Sequence, residues 1–222
     1  PGSITAEIYY DSTLDDPFAG GDISTVTDGW GDTDTITNLS GFKGTDLDDF
    51  FTIDIVDNSL SNLRWLIWGM GGNDRIEITD TGRARAMYMD DTGGGIYADL
   101  SQGIVHQGIV RDGGGNYDPV TGTHTSEDTL INIEGVSGTN FNDILLGSDQ
   151  NDGFYGTLGN DSVDGLIHQG GIINDWISYE LMDNTDGFDG VNINLSSNTV
   201  TGLNSSDGTI FTDTLQNIET AI

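Results

Sequence analysis

The chain has 222 residues, and its 37 acidic residues against 6 Lys and Arg give a formal charge of -31. Nucleic acid and anionic membrane surfaces repel such a polyanion, no apolar run is long enough to cross a membrane, and the lack of Cys excludes disulfides and thiolate metal centres. The acidity is of one type, since 31 of the 37 acids are Asp and Gly supplies a further 33 residues, which is turn chemistry rather than solvated helical faces.

With 35% apolar and 9% aromatic residues the composition predicts a packed chain rather than a disordered one. Pro1, Gly2 and Ser3 read as an expression-tag remnant and are set aside. Residues 4–93 then form a diverged first repeat unit that opens on Asp34, Thr35, Ile36, Asn38 and Leu39 and continues through Gly41, Gly44, Thr45 and Asp49. The apolar stretch from Leu63 to Met70 is compatible with a strand or one short helix, and Trp65 and Trp68 within it are assigned to the core.

Residues 94–222 carry the clearer repeats. Gly95, Ile96, Ala98, Asp99 and Leu100 alternate as a strand does, and Gly190, Val191, Ile193, Asn194 and Leu195 match them. The string Asp128, Thr129, Leu130, Asn132, Ile133, Glu134 recurs as Asp213, Thr214, Leu215, Asn217, Ile218, Glu219, a shift of 85 residues, while the first unit matches the second at a constant shift of 94. Matching segments in a constant order are the mark of a repeat architecture.

A finer period follows the second string. Asn142-Asp143, Asn151-Asp152 and Asn160-Asp161 are spaced by nine residues, each Asp is followed two positions later by an apolar residue (Leu145, Phe154, Val163), and each nonapeptide opens on Gly138, Gly147 or Gly156. Turn, short strand and turn succeed one another, and nine residues suit half a turn of a flattened β-helix. The predicted fold is all-β, a solenoid with Gly- and Asp-rich turns.

These nonapeptides resemble G-G-x-G-x-D-x-U-x, the calcium-binding repeat of the RTX (hemolysin-type) family, in which U is a large apolar residue. The best matches start at Gly69, Gly156 and Gly170, and weaker ones at Gly44, Gly138 and Gly147. The fourth-position Gly is replaced by Leu47, Phe141, Gln150 and Ile173, so those loops bind weakly or only turn the chain. The resemblance implies a parallel β-roll with two nonapeptides per turn and calcium between loops one turn apart. It further implies that Asp143 faces Asp161, Asp152 faces Asp175 and Asp49 faces Asp74, with Gly138, Asn140, Asn142, Gly156, Leu158 and Asn160 completing the ligand set. Calcium takes six to eight hard oxygen ligands, which carboxylates and exposed turn carbonyls supply. A competing account makes Asn142, Asn151 and Asn160 a stacked side-chain ladder, with the Asp residues shaping turns.

His106, His124 and His168 have no ligand spacing and read as surface or turn residues. No Lys or Arg follows Arg111, so the turns from Gly138 to Ser178 are expected to lack a protein cation. No catalytic constellation stands out among so many carboxylates. The expectation is a non-enzymatic calcium-dependent module of a longer secreted or cell-surface polypeptide, exported by a type I system as the resemblance implies. An adhesin or carbohydrate-binding module on the same scaffold is the second reading, with Trp176 as the outward-facing contact, and a polysaccharide-modifying β-helix enzyme is the third.

Overall fold

The computed structural model describes residues 5–10, 24–27, 33–36, 41–55, 64–79, 83–89, 93–167, 174–182, 188–204 and 209–222. Trp30, Asn38, Leu39, His168 and the first four residues of the loop at Gly170 lie outside the described residues. Those described are all-β, with strands numbered here in chain order and no helix among them. The chain divides into two compact units, Pro1–Met87 with Ser126–Ile133, and Tyr88–Thr125 with Glu134–Ile222.

In the first unit, β1 (Thr5–Tyr10), β2 (Ser24–Thr27) and β3 (Thr33–Ile36) form an antiparallel meander. A second group, β4 (Gly41–Lys43), β6 (Arg64–Trp68) and β8 (Arg83–Ala86), forms a parallel sheet. Between these in sequence come β5 (Phe50–Ile55) and β7 (Arg75–Ile78), which join β1 in the other sheet and are followed there by β11 (Ser126–Ile131), all in parallel. Successive strands β4 to β8 therefore alternate between two sheets. Registers Phe51↔Ile76↔Leu130 and Phe42↔Ile67↔Ala86 carry the buried side chains. The stretch around Trp65 is a strand and not a helix, because Trp65 and Ile67 are buried while Leu66 and Trp68, on alternate positions, are only partly so. Trp65 belongs to the core, stacked 6.2 Å from Phe42, whereas Trp68 lies on the opposite face.

The second unit repeats the arrangement. One sheet runs from β9 (Tyr97–Asp99) and its antiparallel partner β10 (Ile104–Gln107) through β13 (Ile144–Leu146) and β15 (Ser162–Asp164) to β19 (Thr209–Gln216). It ends in an antiparallel meander of β19 with β18 (Thr199–Asn204) and β17 (Phe188–Asn194). The other sheet is parallel throughout: β12 (Gly135–Ser137), β14 (Gly153–Tyr155), β16 (Trp176–Ser178) and β20 (Thr220–Ala221). In both sheets, Ile144 pairs with Ser162 and Gly135 with Gly153, an offset of two nonapeptides.

The Asp-x-apolar signature explains how the turns and core are coupled. Residues two apart on a strand face the same side, so the Asp that opens each strand points inward with the core residue that follows it. Leu145, Val163 and Leu215 stack in one row and Val136, Phe154 and Ile177 in the other, each no more than 1% exposed. The carboxylates are thereby carried into the interior.

Two turns also need glycine for a backbone reason. Gly72 (φ 112°) and Gly159 (φ 121°) occupy the fourth position of their loops, in a region closed to L side chains, where an added Cβ would strike the backbone of Leu47 and Phe141 in the loop stacked one turn earlier. Gly159→Ala is expected to cost about 2–4 kcal/mol in thermal or denaturant unfolding. Gly113→Ala, where an added Cβ meets nothing within 4 Å, should be near neutral.

Candidate functional site

Within each unit the inward Asp residues form rows, built by one repeated hydrogen bond in which the backbone N–H of one Asp donates to a carboxylate oxygen one turn later. In the first unit Asp49 N–H donates to Asp74 Oδ1 (2.8 Å) and Asp74 N–H to Asp128 Oδ1 (2.9 Å). In the second unit Ile96 N–H donates to Asp143 Oδ1 (2.8 Å), Asp143 N–H to Asp161 Oδ1 (2.9 Å), and Asp161 N–H to Asp213 Oδ1 (2.9 Å). A third row, also in the second unit, runs from Asp152 N–H to Asp175 Oδ1 (2.8 Å) and from Asp175 N–H to Glu219 Oε2 (2.9 Å). All the Asp residues of these rows are buried.

The three pairings Asp143 with Asp161, Asp152 with Asp175 and Asp49 with Asp74 are thus made, each through a backbone N–H. Three row members escaped the sequence reading: Asp128, Asp213 and Glu219. The signal was present, because Asp128-Thr129-Leu130 and Asp213-Thr214-Leu215 keep the Asp-x-apolar spacing of the nonapeptides.

Outside each buried row runs an exposed one. Asn160 N–H donates to Asn142 Oδ1 (2.8 Å) and Thr212 N–H to Asn160 Oδ1 (2.7 Å). Asn174 N–H donates to Asn151 Oδ1 (2.9 Å), and Asn73 N–H to Asp48 Oδ1 (2.7 Å). The Asn ladder and the Asp rows therefore coexist, each Asn-Asp pair sending one side chain out and one in. Of the other expected ligands, Asn140 is exposed at the tip of its turn and Leu158 is partly exposed. Gly138 lies under the Asp143 carboxylate, and Gly156 under the ring of Tyr179.

The carboxylates differ in how fully they are satisfied. Thr45 and Thr139 each donate from backbone N–H and side-chain hydroxyl to Asp49 and Asp143, and Ser148 does the same for Asp152. In the loop at Gly69 the second position is Met70, which has no hydroxyl, and in the loop at Gly156 the Thr157 hydroxyl turns away to the Thr139 carbonyl. Asp74 Oδ2 and Asp161 Oδ2 are accordingly buried with no hydrogen-bond partner.

Such stacking penalises ionisation. Parallel strands lie about 4.8 Å apart, and two carboxylates at that distance repel by about 3–4 kcal/mol at an effective dielectric near 20. Burial, reinforced by the Asp128 charge, pushes Asp74 up to about 8. Burial and then the charges of Asp143 and Asp213 hold Asp161 well above the usual carboxylate range. Burial also raises Asp143 to about 7 against the opposing N–H donors of Ile96 and Thr139, and raises Asp213 to about 6 against the Tyr179 hydroxyl, which donates to its Oδ2 at 2.6 Å.

Two expectations require correction. The turns of the second unit do have a protein cation: Arg111 donates from Nη2 to the carbonyl of Asn142 (3.0 Å) and from Nη1 to that of Gly115 (2.9 Å). His106 and His124 are likewise not isolated surface residues. Their rings stack 4.0 Å apart, His106 is buried, and both Nδ1 atoms bond the Tyr117 hydroxyl, at 2.8 and 2.9 Å. An 18-residue separation bridged by a folded-back excursion brings them together, which local spacing does not reveal. Trp176 is partly exposed and lies over Gly153, edge-on to Tyr155 at 5.3 Å.

No protein-family model matches the chain, and no curated protein sequence matches it. No helix among the described residues is long and apolar enough to cross a membrane.

Proposed function

We propose that this chain is a calcium-binding β-solenoid segment, of the RTX-like kind, of a larger secreted or cell-surface protein, and that calcium folds and stabilises it. The offset of two nonapeptides in both sheets of the second unit supports the solenoid reading. One observation carries the metal reading. The loops at Gly69 and Gly156 are the described ones that keep glycine at the fourth position, and they are the ones whose buried carboxylates retain an oxygen without a partner. In the loops where Leu47, Phe141 and Gln150 replace that glycine, a Thr or Ser hydroxyl serves the carboxylate instead. A turn that satisfies itself has no need of an ion; a turn that strands a carboxylate oxygen does.

The donor set fits a hard cation, since carboxylate and carbonyl oxygens dominate and no thiolate exists. Asp74 and Asp161 would be the principal carboxylate ligands, with Asp128, Asp143 and Asp213 in the adjoining rungs supplying negative field. Calcium would offset the charge repulsion that stacking creates, and because it binds the folded rows and not the unfolded chain it would stabilise the fold by mass action. Extracellular calcium modules work at about 10⁻⁴ to 10⁻³ M, a concentration met outside the cell and not in the cytosol, so folding would follow export.

Calorimetric calcium titration of the chelated protein tests this. Binding is expected for the wild-type chain and for Asp118→Ala, which alters an exposed turn, and at least a ten-fold loss of affinity for Asp161→Ala. Equal behaviour of Asp161→Ala and Asp118→Ala would reduce the acidic residues to a diffuse charge.

A further inference from the structure

We propose that Arg111 is a built-in counter-cation for the second unit's Asp143–Asp161–Asp213 row, and thereby a specificity-determining residue that sets how much calcium this row requires. The inference rests on the calcium reading for its second half and, for its first, on the placement of the guanidinium against the Asn142 carbonyl.

The placement is unusual for this chain. Of the six Lys and Arg residues, Lys43, Arg64, Arg75, Arg83 and Arg85 all fall in the first unit, so Arg111 is the one Lys or Arg that the second unit possesses. It sits on an excursion between β10 and β11 that closes through a bridge of Val110 with Thr123. The excursion is tied down by the Tyr117 hydroxyl on His106 and His124. The turn that follows Arg111 is fixed by Asp112, which accepts from Gly114 and Asn116 N–H at 2.8 Å.

This frame aims the guanidinium at the carbonyl of Asn142, the residue that immediately precedes Asp143. The two N–H donors of the fork reach carbonyls on two different turns, Gly115 and Asn142, a geometry that an ammonium group does not reproduce. Nε of Arg111 is buried without a hydrogen-bond partner, so the group is held there at some cost. Its charge acts on both Asp143 and Asp161, against the upward push of burial.

A fixed positive charge beside an anionic row does two things. Without metal it relieves part of the repulsion, so the row tolerates ionised carboxylates better. With metal it opposes a second cation, so the row binds calcium more weakly than its carboxylates alone would allow. A charge at about 8 Å from a divalent ion, in a largely aqueous dielectric, is worth roughly a five-fold change in affinity. The Asp49–Asp74–Asp128 row of the first unit serves as an internal reference.

The test compares wild type, Arg111→Gln, Arg111→Lys and Lys43→Gln, the last removing one exposed positive charge elsewhere. Residue-resolved hydrogen exchange is read at one pH in chelator and through a calcium titration. In chelator, Arg111→Gln should lower protection of Asp161 and Thr214 N–H by about ten-fold while Arg75 and Thr129 N–H in the first unit stay as they are. In calcium, its second-unit midpoint should move to roughly three- to ten-fold lower concentration, a gain that mere structural damage cannot produce. Arg111→Lys should restore the wild-type midpoint in part, and Lys43→Gln should change neither quantity. The proposal is overturned if Arg111→Gln matches wild type in both arms, if its midpoint rises, or if Lys43→Gln has the same effect. Should calcium alter no variant and not the wild type, the calcium reading fails while the chelator arm still decides whether Arg111 supports the row.

Discussion

Asp161→Asn is expected to make the metal-free protein more stable at pH 8 and less stable in millimolar calcium, a reversal of sign between two conditions for one substitution. The amide keeps an Oδ1 that accepts from Asp143 N–H, the bond that registers one turn on the next. What it removes is a buried charge between Asp143 and Asp213. The sign follows from linkage. Asp74, raised from 3.8 to about 8, and Asp143 and Asp213, raised to about 7 and about 6, contribute stability that is fully present below about pH 4. That contribution is lost as pH rises through the folded values, between about pH 4 and 8. The metal-free wild type should therefore melt at lower temperature at pH 8 than at pH 4.5. Asp161→Asn should recover part of that loss at pH 8 and much less at pH 4.5. Calcium favours the ionised rows and should flatten or invert the slope more for the wild type than for Asp161→Asn, which keeps only the Asp74 site. Thermal melts at the two pH values, with chelator and with calcium, measure all four corners. A variant less stable than wild type in every corner would mean that the ionised carboxylate is stabilising on its own and needs no ion.

Removing calcium from the wild-type protein near neutral pH should produce the second large effect, loss of hydrogen-exchange protection from Gly138 to Ser178. The amides that matter are those of Asp143, Asp152 and Asp161, whose acceptors are carboxylates of the next turn. Protection should fall by at least two orders of magnitude in chelator, equivalent to about 3 kcal/mol. Sodium chloride at matched ionic strength should not restore it. Monovalent salt screens over about 8 Å at physiological strength but does not coordinate a buried oxygen. Magnesium should be a poor substitute, since it demands near-octahedral geometry and holds its water. Protection unchanged in chelator would leave the rows as proton-linked structures with no metal requirement, and protection restored by sodium would reduce the ion to a screening charge.

Much of this was legible in the sequence because the signals were local. The Asp-x-apolar spacing marked the short strands, and the nine-residue period matches the 18-residue offset of Asp143 to Asp161; the other two pairings, 23 residues apart for Asp152 and Asp175 and 25 for Asp49 and Asp74, rested on the resemblance to the RTX repeat and not on the period. What was not legible depended on long excursions. Asp74 to Asp128 spans 54 residues and Asp161 to Asp213 spans 52, in each case across a long stretch without nonapeptides that continue the row, so no run of consecutive repeats leads to the next row member. The stacking of His106 on His124 and the approach of Arg111 to Asn142 arise from the same excursion, whose path no periodicity specifies. Departures from the repeat pattern proved informative as well. A hydroxyl in the second position and a bulky residue in the fourth, as at Thr139 and Phe141, accompany a carboxylate satisfied by its own loop.

The hydrogen bond that builds the rows has a direction. In each case the earlier residue gives its N–H and the later residue supplies the oxygen, from Asp49 to Asp74 to Asp128 and from Asp143 to Asp161 to Asp213. A chain emerging N-terminus first thus presents turns whose buried amides stay unanswered until the following turn arrives, at about 1–3 kcal/mol for each unmet donor. Every turn acts as an unfinished template for its successor, and the last carboxylate to arrive closes the stack for all that precede it. The buried amides of the early turns are therefore expected to stay open to exchange until the later turns are present, whereas the exposed ladder, in which the later residue gives its N–H to the earlier one, is served by turns already made.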